Sequence, residues 1–242
     1  MEQERIKMPL YRPVWRSEPI VPGDLTVIML TLNKPPKHWQ KFYKKTLLEA
    51  IGDMPLVIVS KEPMDWDRPN TQYALQEEPG VTQEERIHNI YTQLLKAVRM
   101  ATTTYIAEVD DDCLYPSIHF NSHRPPLNKF SYNYCRWSLN TWERRNPFYY
   151  HSPHPDNPML IAPRQKLLDC LESVPHFNSV TLKFMMDCVA FYTIEPVLCF
   201  HHVTGLVDER IIRWKKPWPV RALSLPRWGL ASEIIKEWRE ED

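Results

Sequence analysis

The sequence predicts an α/β fold: an open, mostly parallel sheet flanked by helices, followed by a mixed C-terminal half. Three observations carry this. Short continuous apolar runs alternate with amphipathic stretches over the first 110 or so residues. Such runs are the pattern of strands buried on both faces, as parallel sheets require. Their spacing leaves room for a helix between strands, which implies right-handed βαβ crossovers. At 242 residues the chain suits one well-buried domain, with 1–242 read as a single unit.

The elements follow in order. The first 23 residues are Pro-rich and end in a turn at Pro22-Gly23. Leu25 to Leu32 (LTVIMLTL) reads as the first strand, stopped by Asn33 and Pro35-Pro36. From Lys37 to Ile51, Trp39, Phe42, Tyr43, Leu47, Leu48 and Ile51 recur at helical spacing, with Gly52 as terminator. Pro55 to Ser60 (PLVIVS) is the second strand, and residues 61–83 read as loop. Thr82 followed by Glu85 resembles a capping box for a helix from Glu84 to about Ala101. Thr104 to Val109 (TYIAEV) is the third strand and runs directly into Asp110, Asp111 and Asp112. Beyond it, one strand is expected at Phe130 to Trp137 and a helix over 163–174. A late strand at Thr193 to Phe200 and a closing helix at Ala231 to Arg239 complete the chain.

Composition narrows the function. Thirty Lys+Arg balance thirty Asp+Glu, which argues against coating nucleic acid or a membrane by bulk charge. Five cysteines (Cys113, Cys135, Cys170, Cys188, Cys199) lie scattered without a CxxC pair, the usage of a reducing compartment. No apolar leader region opens the chain and no run reaches membrane-spanning length, so a cytoplasmic protein without membrane partners is expected. Only five glycines occur, and neither GxGxxG nor GxxxxGK[ST] is among the motifs. A diphosphate here would need metal and cationic side chains in place of a glycine-rich loop.

The three aspartates carry the strongest signal. In open α/β sheets ligands bind outside the carboxyl ends of the strands. A carboxylate cluster there repels itself unless a cation neutralises it, which points to magnesium or manganese. A solvated turn is the plainer alternative.

LTVIMLTLN, PLVIVSKEP, a helix carrying Arg86 and Asn89, and TYIAEVDDD together resemble the nucleotide-binding half of GT-A glycosyltransferases, over about residues 24–120. NPMLIAPRQKLLDCLE and TGL…VRALSLPRWG, in the acceptor-side half 121–242, are similar to small phage-encoded GT-A proteins related to the base J glucosyltransferase group. The resemblance implies a DxD motif at Asp110 and Asp112 and a UDP-sugar donor. It places Thr31, Asn33, Ser60 and Glu62 beside the donor's base, and Arg86 and Asn89 at the base, ribose or phosphate. Asp110 would face the ribose or donor sugar and share the metal, and Asp112 would ligate it directly. Asp111 would serve either role, and His202, at a strand end, would be the third ligand. For an inverting reaction the general base would be Asp187, a lone acid in KFMMDCVAF. Arg213 and Lys215, with Lys216, would close over the diphosphate.

The acceptor is read from Arg124 to Arg145. There Arg124, Lys129, Arg136, Arg144 and Arg145 interleave with Phe130, Tyr132, Tyr134, Trp137 and Trp142. Bases stack on aromatics and phosphates pair with cations, which suits nucleic acid and, almost as well, a carbohydrate; the resemblance to the phage-encoded group implies DNA carrying 5-hydroxymethylpyrimidine as the favoured acceptor. A carbohydrate or small-molecule acceptor is the alternative, as is a non-catalytic nucleic-acid-binding module.

Overall fold

The computed structural model describes residues 16–78, 80–143, 146–174, 187–202 and 220–239. The first half runs β1 (Leu25–Thr31), α1 (Lys37–Ile51), β2 (Leu56–Ser60), β3 (Thr71–Leu75), α2 (Gln83–Met100), β4 (Tyr105–Asp110) and β5 (Cys113–Leu114). Next come α3 (Ser117–Asn121), β6 (Phe130–Asn133), β7 (Arg136–Asn140), β8 (Tyr149–His151), a 3-10 turn (Asn157–Met159), β9 (Leu160–Pro163) and α4 (Arg164–Glu172). β10 (Cys188–Phe191), β11 (Val197–His201), the short strands β12 (Arg221–Ala222), β13 (Ser224–Leu225) and β14 (Gly229–Leu230), and α5 (Ala231–Arg239) complete the described chain.

A seven-stranded sheet in the order β10-β6-β9-β4-β1-β2-β3 forms the centre. β1 pairs in parallel with β2 and β4, β2 with β3, and β6 with β10. β9 runs antiparallel to both β4 and β6, so it alone is reversed within this sheet. Val27, Ile28 and Met29 of β1, Leu56 to Val59 of β2, and Ile106 and Ala107 of β4 are fully buried, as their continuous apolar runs require. The mixed α/β class and the mostly parallel, helix-flanked sheet agree with the sequence reading. The two halves of the chain interleave, however, because β6, β9 and β10 of the second half extend the sheet begun by the first.

β1, β2 and β3 proceed outward in one direction, and β4 then returns to the other side of β1. Right-handed crossovers in opposite directions put their helices on opposite faces. Accordingly α1 packs with α3 and α5, whereas α2 packs with α4. The reversal of direction creates a crevice between the carboxyl ends of β1 and β4, the place where open α/β sheets take ligands.

A second, five-stranded sheet has the order β12-β8-β7-β11-β5. β5 follows the three aspartates at once and pairs antiparallel with β11, Cys113 opposite Cys199. The Phe200 N–H donates to Asp112 O at 2.8 Å, which continues this register to the crevice.

Three local expectations need correction. The loop 61–83 contains the edge strand β3, whose alternating exposure hides it from a search for apolar runs. The single strand at Phe130 to Trp137 is two strands in different sheets. Asn133 Oδ1 accepts from Cys135 N at 2.9 Å, and this side-chain turn breaks the run. The late strand starts at Val197, because Thr193 to Pro196 form a bend in which Thr193 Oγ1 donates to Glu195 O. Among the described residues, no helix is long and apolar enough to cross a membrane.

Candidate functional site

The carboxyl ends of β1 and β4 open into a cleft of about 440 Å³ whose lining draws on both sheets and on α2. Register brings Leu30 beside Asp110 and Thr31 beside Ser60, so the sheet itself delivers Thr31 and the aspartates to one edge. Asp110 is the last residue of β4, and its N–H donates to the buried Tyr115 hydroxyl at 3.0 Å. Thr31 Oγ1 donates to Asp111 Oδ2 in a short hydrogen bond. Trp39 of α1, fully buried, donates its indole N–H to Asp111 O at 2.7 Å, fixing the turn from inside the core.

β11 carries His202 to the same place, with Nε2 3.2 Å from Asp112 Oδ2. The Trp238 ring of α5 lies 5.0 Å from the imidazole and holds it from behind. The sequence-expected residues Thr31, Arg86, Asn89, Asp110, Asp111, Asp112 and His202 thus all line one cleft.

The electrostatics follow from crowding. Burial, then the charges of Asp112 and Glu108, pushes Asp110 well above the usual carboxylate range. Burial and Asp112 push Asp111 up to about 7. Burial would raise Asp112 as well, but the hydrogen bond and charge of His202 outweigh it and hold the carboxyl below its ordinary value. Negative charge therefore concentrates on Asp112. Lys34 and Arg86 line the same cleft, and burial together with the charge of Arg86 lowers the Lys34 amine.

A divalent cation fits this donor set in chemistry: a carboxylate and an imidazole stand together, and the surrounding carboxylates repel one another without one. Among the described residues no group of three His, Cys, Asp or Glu side chains is assembled around a common point. Asp112 and His202 would therefore be the first ligands, with Asp110 drawn in as the cluster is neutralised.

Other expected residues act in the scaffold. Asn33 adopts φ 56°, a conformation that Asn tolerates better than most residues, and its Oδ1 accepts from Glu62 N at 2.8 Å. Ser60 Oγ donates to Glu62 O at 2.7 Å. These three tie the ends of β1 and β2 and do not line the cleft. Asp187 does not reach the cleft either. It is 40% exposed and paired with Lys129 at 2.5 Å and Lys166 at 2.7 Å, whose hydrogen bonds outweigh burial and lower its pKa. Arg213, Lys215 and Lys216 lie outside the described residues.

The aromatic and basic stretch is largely turned inward. Phe130, Tyr132 and Tyr134 are core residues, and Arg124 is buried against Asp24 at 2.7 Å. Arg136 lines the cleft and reaches Asp156 at 2.9 Å. Arg144 and Arg145 lie outside the described residues. Phe130, Tyr132, Tyr134, Arg124 and Arg136 are thus core and cleft wall, whereas Lys129, Trp137 and Trp142 are half-buried.

Several cleft residues escaped the sequence reading, namely Lys34, Gln76, Gln93, Glu108 and Asp156, and Arg136, expected on the acceptor side, stands in the cleft with them. Gln76 Nε2 donates to Thr31 O at 2.9 Å, and Gln93 Nε2 donates to Asn89 Oδ1 at 2.9 Å. Burial, then Asp156, raises Glu108 to about 8. The one available signal was the lone acid in the apolar run TYIAEV.

No family model and no curated protein matches the chain. Among solved structures it is similar to the mannosyltransferase PcManGT from Pyrobaculum calidifontis, solved with GDP-Man and Mn2+, at 17% identity and a TM-score of 0.48, covering 85% of this chain and 63% of that one. A nucleotidyl transferase from Methanothermobacter thermautotroptrophicus matches at 10% identity and a TM-score of 0.42, covering 79% and 96%. TarS from S. aureus, in complex with UDP-GlcNAc, matches at 11% identity and a TM-score of 0.41, covering 74% and 59%. The chain therefore spans less than two thirds of the mannosyltransferase and of TarS.

Proposed function

We propose that this chain is a metal-dependent glycosyltransferase that moves a sugar from a nucleoside-diphosphate sugar, UDP-linked on the resemblance of its motifs, to an acceptor hydroxyl. The observation that carries the reading is the aspartate cluster at the strand-order reversal, with Asp112 held by His202 and with Lys34 and Arg86 in the same cleft. A nucleotide would enter along Thr31, Arg86 and Asn89. Asp112, His202 and Asp110 would hold a divalent cation, which would supply Lewis-acid stabilisation of the departing diphosphate. Lys34 and Arg86 add fixed positive charge that costs no reorganisation as the leaving group departs.

Transfer forms a bond from the acceptor oxygen to the anomeric carbon and breaks the bond from that carbon to phosphate. The acceptor proton must leave, and an inverting reaction needs one carboxylate to take it. Asp187 stands outside the cleft, so the proposal moves this role to Asp156, which lines it with a side chain 42% exposed and oriented by Arg136. Hydroxymethylated DNA remains the proposed acceptor on the resemblance of the second half, with saccharides as the competing class.

The test is thermal stability against UDP- and GDP-sugars, with and without manganese, followed by transfer to hydroxymethylated DNA and to a saccharide panel. A manganese-dependent rise with one donor, absent in Asp112→Ala, is the expected result. Identical behaviour of wild type and Asp112→Ala would remove the metal site from the proposal. Transfer only to saccharides would remove the DNA acceptor.

A further inference from the structure

Two buried acceptor atoms in the cleft lack partners. Glu108 is 1% exposed and Gln93 2% exposed, and both line the cleft. Glu108 Oε2 and Gln93 Oε1 each have no hydrogen-bond partner. A buried polar atom left unpaired costs stability, and native proteins rarely tolerate one without a reason. Two in the lining of one cleft, where a ligand is expected, point to a ligand that supplies the missing partners.

The neighbours say what kind of ligand. Asp156 and Asn157 line the same end of the cleft, and Asp156 already takes the Arg136 guanidinium at 2.9 Å. Arg136 Nη1 also meets His154 Nε2 at 2.5 Å, so this cation is committed to protein partners. Gln93 donates one of its two amide N–H groups to Asn89. What this end of the cleft offers to a ligand is therefore the Gln93 oxygen, which accepts, and the Glu108 carboxyl, which accepts and, when protonated, also donates. A phosphate, which only accepts, leaves the Gln93 oxygen unpaired and belongs with Lys34 and Arg86. A ring bearing several hydroxyls supplies donors at the required density.

We infer that Glu108 and Gln93 are specificity-determining residues that bind the hydroxyls of the transferred sugar ring at the floor of the cleft. This rests on the donor reading above and names the part of the cleft that distinguishes one sugar from another. A site built to hydrogen-bond a hydroxyl rejects analogues that lack it, because its buried acceptors are again left unpaired. Glu108 contributes to selection between epimers, and the diphosphate is held independently of it.

The experiment compares binding of UDP, UDP-glucose, UDP-galactose, UDP-GlcNAc, GDP and GDP-mannose to wild type, Glu108→Met and Glu108→Gln by calorimetry with manganese. Methionine keeps the side chain's length and removes its polar oxygens, so Glu108→Met is expected to melt no lower than wild type. The gain in affinity of the preferred nucleotide sugar over its nucleoside diphosphate is expected to fall about tenfold in Glu108→Met. Affinity for the diphosphate alone should stay within about twofold. Glu108→Gln keeps an acceptor and restores most of the gain. An unchanged sugar gain in Glu108→Met overturns the inference while the donor reading stands. Equal losses for the diphosphate and its sugar overturn it too, since a merely structural role gives that pattern. Failure of every nucleotide to bind wild type overturns the donor reading and this inference with it.

Discussion

Titration at the cleft floor gives a residue-scale expectation with a definite sign. Burial lifts Asp111 from 3.8 to about 7 and Glu108 from 4.5 to about 8. Both keep protons in the folded protein at pH values where the unfolded chain has lost them. Their contribution to stability is thus present at acid pH and lost as pH rises through about 7 and 8. The buried His119 and His123 run the other way, depressed from 6.5 to about 3 and about 4 by burial. They cost stability as pH falls below 6.5. Between pH 6.5 and 8 the two carboxyls lose protons in the folded protein, which outweighs the smaller gain as the unfolded histidines shed the rest of theirs, so the metal-free protein should melt lower at pH 8 than at 6.5. Scanning calorimetry of Glu108→Gln should show a smaller drop, and an undiminished one would refute the pKa assigned to Glu108. Asp187→Asn gives a contrasting expectation. Its pairs with Lys129 and Lys166 are half exposed, so their loss should cost no more than about 1 kcal/mol. Sugar transfer should continue at the wild-type rate, and a collapse of turnover would return Asp187 to the reaction. The aspartate cluster was legible because three acids behind an apolar strand have few other uses. The lone-acid argument was sound, but it was applied to Asp187 in KFMMDCVAF, whereas the acid that is buried and facing a ligand site is Glu108 in TYIAEV.

At the scale of elements, α2 matters most, since it presents Arg86, Asn89 and Gln93 to the cleft. Its start is fixed by the capping box anticipated from Thr82 and Glu85. Thr82 Oγ1 accepts from Glu85 N at 3.2 Å, and Glu85 Oε2 accepts from Thr82 N at 2.8 Å and from Val81 N at 2.9 Å. Gly80 passes so close that a Cβ there would collide with Glu85 Cβ, and its carbonyl takes the Arg86 Nε–H at 3.2 Å. Thr82→Ala should cost about 1 kcal/mol, a loss of roughly 2–4 °C in melting temperature for a chain of this length. Gly80→Ala should add a loss of nucleotide affinity, because it displaces the first turn and Arg86 with it. Titration with UDP checks this, and unchanged affinity would show that Arg86 is not placed by Gly80. Helix boundaries were legible because caps and periodicity are local: α1 and α5 match their expected limits, and α2 begins one residue before Glu84. β3 and the division between β6 and β7 were not, because an edge strand and a change of sheet are decided by partners far along the chain.

On the scale of the whole molecule, the cleft exists because two sheets converge on one strand end. Asp110 to Asp112 arrive from the large sheet through β4, whereas His202 arrives from the small sheet through β11, about 90 residues later. The resemblance named His202 as a co-ligand of Asp112, but the convergence of two sheets could not be read from the sequence, since only the β5–β11 register brings Phe200 opposite Asp112 and so sets His202 beside it. It has a thermodynamic consequence. Without a cation the three carboxylates repel one another, and a diphosphate would add more negative charge to the same cleft. Manganese or UDP alone should therefore stabilise the protein little, whereas together each supplies what the other lacks. Binding at about a hundred times the dissociation constant contributes about 2.7 kcal/mol, roughly 5–10 °C for a domain of this size. The combined shift should exceed the sum of the separate ones in wild type. It should vanish in Asp112→Ala and weaken in His202→Ala, because a ligand joining both sheets stabilises the molecule only while both sheets supply a ligand atom. Strictly additive shifts in wild type would mean that metal and nucleotide occupy separate places, and the cleft would then not be a shared site.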